Sequence, residues 1–101
     1  MKDGMATWWS IEVIDGAGSS SLWAHTHGDA LVEAALLDGA RDWSWHEHPW
    51  GVVFEVSFED DEAWERFRLA PTVVAALDAV PDPVSGLIIY RGRGGSAGRS
   101  A

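Results

Sequence analysis

The residues best suited to chemistry gather in DWSWHEHPWGVVFEVSFED, residues 42–60, where His46 and His48 stand two apart beside Ser44, Trp50 and Glu55. Read as two strands of a hairpin, this stretch puts Ser44, His46 and His48 on one side and Trp43 and Trp45 on the other. Glu12, in the earlier run TWWSIEVID, has the parity to join the histidine side from a neighbouring strand, together with Trp8 and Ser10. Two carboxylates forced close together cannot both ionise easily, so one becomes an acid and the other a base, and an adjacent imidazole can shuttle the proton. Glu12, Glu55 and His46 are therefore the candidate catalytic residues. Trp8, Ser44, His48 and Trp50 are the candidate ligand-binding residues around them. The plainer alternative is a sheet face carrying a structural His–Glu hydrogen bond, a common fate of such groups.

Other chemistries fit less well. His46 and His48 point the same way and could share a metal with Glu55, but two imidazoles without a fixed third ligand bind weakly, so no metal and no cofactor is assigned. His25 and His27 diverge if they lie on a helix. GAGSSS lacks the Gly-Lys-Ser/Thr ending of a phosphate loop, and the serines at 19–21 have no His–Asp partner set. The chain has no cysteine, which removes disulfides, thiolate nucleophiles and Cys-ligated zinc.

Charge narrows the partners. The net charge is -9, and all 16 acidic residues precede residue 83, whereas Arg91, Arg93 and Arg99 follow it with no acid between them. A body this acidic repels phosphate backbones, so no nucleic-acid partner is expected, and the single RGRGG in the tail does not reverse that. No apolar run is long enough for a signal peptide or a membrane span, which makes the expected location cytoplasmic and the expected partners exclude a membrane.

The elements that must position these residues follow from periodicity. Residues 7–15 alternate as a half-buried strand. SSSLWAHTHGDALVEAALLDGA opens on serines suited to N-capping and ends at Gly39, predicting one long helix with a break conceivable at Gly28. In the hairpin, if His48 faces Gly51 across Pro49-Trp50, Trp45 pairs with Phe54, Trp43 with Val56, His46 with Val53 and Ser44 with Glu55. EDDEAWERFRLA predicts a helix capped by Asp60 or Asp61, and Pro71 restarts a second one that buries Val73, Val74, Leu77 and Val80. GLIIYR is a last strand. Residues 1–6 are expected to be flexible, 7–91 to form one domain, and 92–101 to be a disordered Gly/Arg tail.

Strand, helix, strand, strand, helix, strand is the split βαβ order of a ferredoxin-like α+β sandwich. Right-handed crossovers place the first strand centrally between the third and fourth, the second on an edge, and the helices on one face. Trp9, Trp43, Trp45 and Trp64 are then core, with Trp23 packing the first helix. FEDDEAWERFRLAPTVVAAL resembles the segment that dimeric α/β-barrel proteins carry after their third strand, in its acidic helix start, aromatic-bearing helix, Pro-led break and second short helix. Leu69-Ala70 stand before Pro71 where that family's usual histidine would be sought, so no catalytic assignment transfers. The resemblance implies a homodimer formed through open sheet faces. Two functions remain in view: binding of a small apolar or aromatic ligand with cofactor-independent acid/base chemistry, or a non-catalytic dimerisation or protein-interaction module.

Overall fold

The structure, a computed structural model, describes residues 6–93. Most of the expected flexible N-terminus and Gly/Arg tail lies outside those residues. Along the chain run β1 (Thr7–Ile14), α1 (Ser20–Leu37), β2 (Asp42–His48), β3 (Gly51–Phe58), α2 (Asp61–Leu69), α3 (Pro71–Asp78) and β4 (Leu87–Arg91). The four strands form one antiparallel sheet in the order β2-β3-β1-β4, with the first strand central and the second on an edge as expected.

Local chemistry explains the helix boundaries. Ser19 caps α1 by accepting from the Leu22 N–H (3.2 Å), and Asp15 accepts from both the N–H and the hydroxyl of Ser20. The helix runs through Gly28 without a break. A Cβ at Gly28 would stand 3.4 Å from Cζ2 of Trp45, an ordinary contact with an indole that lies against the helix. Asp60 is the cap of α2, accepting from the Ala63 N–H, and Asp61 and Glu62 in the first turn oppose the helix dipole. Ala70 is extended (φ -63°, ψ 138°), the conformation a following proline favours, and this divides α2 from α3.

One face of the sheet packs under the helices as a dry core of Trp9, Ile11, Val13, Phe54, Val56, Trp64 and Phe67. Trp9 and Trp64 stack at 5.0 Å, and the Trp23 indole N–H donates to the Ala76 carbonyl at 2.8 Å, tying α1 to α3. Two expectations need correction. Trp43 lies on the helix side but is 37% exposed, because β2 is an edge strand and α1 packs over β3 instead. Val74 is exposed on the outer side of α3, where Ala76 takes the inward position. Among the described residues no helix is long and apolar enough to cross a membrane.

Candidate functional site

The hairpin register places the chemistry-bearing residues as their parity requires. Ser44 faces Glu55, His46 faces Val53 and His48 faces Gly51 across β2 and β3, while Ser10 faces Glu55 and Glu12 faces Val53 across β1 and β3. All of these point away from the helices. Glu12 and Glu55 thus share the open face but sit diagonally, a spacing of roughly 7–8 Å between Cα atoms in antiparallel sheets.

Both carboxylates are buried although none of α1, α2 and α3 covers this side, Glu12 at 0% and Glu55 at 3% exposure. Side chains from flanking strands shield them. A buried carboxylate without partners is strongly unfavourable, so the question is what holds each. Around Glu55, one oxygen, Oε1, takes a bond from the Ser44 hydroxyl (3.0 Å) and two contacts from the Arg93 guanidinium, through Nε and a terminal nitrogen, both 2.9 Å. His46 Nε2 lies 3.0 Å from the same oxygen and 3.2 Å from Ser44 Oγ. A carboxylate only accepts, so it selects the form of His46 that carries a proton on Nε2. Around Glu12, the Tyr90 hydroxyl donates to Oε2 from β4. Among the described residues every buried side-chain polar atom has a partner.

Arg93 reaches Glu55 because the chain turns over the sheet after β4. Gly92, at φ 111°, adopts a conformation that side-chain-bearing residues rarely take. Its N–H donates to the Trp8 carbonyl (2.7 Å), its carbonyl accepts from the Ser10 hydroxyl (2.6 Å), and Arg93 then lies 3.7 Å over the Trp8 ring. Trp8 is therefore a platform for the guanidinium. His48 and Trp50 stack on each other at 4.7 Å and 3°. His46, His48, Val53 and Glu55 line a cavity of about 90 Å³. Among the described residues no group of three or more His, Cys, Asp or Glu is arranged to hold a metal ion.

Sequence reasoning missed Tyr90 and Arg93. Tyr90 was findable, since it faces Ser10 across β1 and β4 and so has open-face parity. Arg93 lies in a Gly/Arg segment whose composition carries no sign of order.

No family model matches the chain, and no curated protein matches it by sequence. Among solved structures it is similar to a dimeric ferredoxin-like protein of unknown function from Jannaschia sp. CCS1, with a TM-score of 0.63 and 13% identity over 86% of this chain and 98% of that one. It is also similar to a dabb family protein with a ferredoxin-like fold from Mesorhizobium loti MAFF303099, with a TM-score of 0.61 and 18% identity over 87% and 96% of the two chains. The chain has a ferredoxin-like fold. The resemblance drawn from the α2–α3 segment agrees with these neighbours at that level.

Proposed function

We propose that the protein acts in the cytoplasm as a homodimer whose two open sheet faces meet around a small apolar or aromatic ligand. His46 with Glu55, and Glu12 with Tyr90, exchange protons with that ligand without a cofactor. The observation that carries this reading is the pair of buried carboxylates on a helix-free sheet face, each bonded to a group that can itself give or take a proton. A single copy encloses only about 90 Å³ there, against roughly 300–1,000 Å³ for small-molecule sites, so a second face is needed to complete the pocket. The Jannaschia neighbour is described as dimeric, which supports the same assembly here. Trp8, Trp50 and His48 supply the aromatic rim, and the acidic body disfavours nucleic acid.

A second reading, a non-catalytic dimerisation module, is favoured by one detail. Ser44, His46 and Arg93 all converge on Glu55 Oε1, which suits a lock as well as a proton relay. The two readings separate by experiment. Sedimentation should give a dimer, and 1-naphthol should quench tryptophan fluorescence saturably in the wild type and far more weakly in Glu12→Gln and His46→Ala, both still dimeric. A dimer that never responds to the naphthol leaves the module reading, and a monomer ends both.

A further inference from the structure

On the other side of the sheet, a groove runs between α1 and the edge strand β2. It exists because α1 packs chiefly over β3 and meets β2 through Trp45. Two contiguous hollows, of about 480 and about 500 Å³, share Asp29 and Trp45 as walls. Trp43, Trp45 and Glu47 line it from β2, all on the helix side by their period of two, and Asp29 and Glu33, one turn apart, line it from α1.

Its chemistry has one sign. Among the described residues no Lys or Arg lines either hollow, and His25 is the one basic side chain in their walls. Among the described residues Asp29, Glu33 and Glu47 make neither an ion pair nor a side-chain hydrogen bond, whereas Arg41, Arg66, Arg68, Arg91 and Arg93 each pair with an acid elsewhere. Three unpaired carboxylates beside low-dielectric indole walls concentrate cations. Indole is also the aromatic ring that attracts a cation most strongly through its face. A metal ion would not use the indoles, and a second copy of so acidic a chain would add to the charge already there.

We propose that this groove binds a small organic cation, a quaternary or aryl ammonium whose apolar body lies on Trp43 and Trp45 and whose charge is balanced by Asp29, Glu33 and Glu47. The hollows fall within the volume range of small-molecule sites, which fits such a ligand. This site is separate from the open face and does not depend on the function proposed for it.

The test uses choline and benzyltrimethylammonium as probes, with 3,3-dimethylbutan-1-ol as the neutral isostere of choline, followed by tryptophan fluorescence and by amide shifts in NMR spectra. The cations should saturate, weaken as salt is added, and move amides of α1 and β2, while the alcohol should bind far more weakly. Trp43→Ala should weaken binding by about twofold to fivefold, and Asp29→Asn by up to about fivefold. His46→Ala, on the opposite face, should leave it unchanged. Equal binding of the neutral alcohol overturns the proposal. So does absence of saturation, unchanged affinity in folded Asp29→Asn, or loss of binding only with His46→Ala. Trp43 is already partly exposed, and Asp29→Asn keeps the test decisive even if the tryptophan variant unfolds.

Discussion

The two faces of the sheet are both buried along β1 and β3, yet they are buried by opposite means. Under the helices, Ile11, Val13, Phe54 and Val56 pack against aromatic rings and need nothing but shape and apolar area. On the other face, Ser10, Glu12, Glu55 and Ser57 are equally dry, and there the burial depends on specific polar partners: the Ser10 hydroxyl donates to the Gly92 carbonyl, while Glu12 and Glu55 accept from Tyr90 and Ser44. Neighbours in sequence can therefore belong to different physical regimes. Phe54 and Glu55 share a backbone and a burial class, and what a substitution does at each is set by the face it points into.

The largest effect should come from the apolar side. Phe54→Ala removes a ring that contacts Trp45 at a centroid distance of 4.5 Å and should cost about 3–5 kcal/mol. For a domain whose whole stability is on the order of 5–15 kcal/mol, that is a large share. Urea unfolding checks it: the midpoint should fall with little change in slope. A loss below about 1 kcal/mol would mean that the aromatic core is not what holds the sheet.

On the polar side the order of effects matters more than the size. Arg93→Ala leaves the Glu55 carboxylate buried with fewer donors and should cost about 1–3 kcal/mol, the usual range for an unmet buried group. Glu55→Gln keeps the shape and removes the charge that needed balancing, and its partners His46 and Arg93, each 47% exposed, can turn to water. It should therefore cost less than Arg93→Ala. Denaturant midpoints of the two variants decide the matter; if Glu55→Gln is the more damaging, the cluster stabilises through the carboxylate itself rather than by neutralising it.

The same contrast explains what could be read before any coordinates. Strand parity was legible because a period of two leaves little choice once His48 and Gly51 flank the turn, so Trp45 and His46 fall on opposite sides without ambiguity. Coverage was not legible. Trp43 has the parity of a core residue, but whether a helix reaches over an edge strand depends on where α1 docks, which no local pattern encodes. Likewise the glycines around Arg93 read as a segment unable to build a core, whereas one of them supplies the positive-φ turn that lays the guanidinium across β1. Apolar burial follows periodicity, and polar burial follows long-range geometry that periodicity does not contain.

Gly28→Ala probes the apolar side more finely. Alanine should favour the helix by up to about 1 kcal/mol over glycine. Its methyl would stand in ordinary contact with the Trp45 indole, so a net gain of some tenths of a kcal/mol is expected together with a shift in tryptophan emission. Gly28→Leu should reverse the sign by displacing the indole. If alanine destabilises as well, Trp45 is packed more rigidly against α1 than the groove beside it suggests.

The smallest effect belongs to Asp15, at the end of β1, where neither face is involved. The Ser20 hydroxyl (2.7 Å), and after it the Ser20 N–H (2.8 Å), hold its carboxyl below the usual carboxylate value. A carboxyl whose value is lowered on folding adds stability that is present above its unfolded value and fades as the pH drops through the folded one. Asp15→Asn should thus narrow the difference between stability at neutral and at acid pH, and leave the open-face cluster untouched. An Asp15→Asn protein with an unaltered acid limb would mean that the Ser20 contacts do not set that limb.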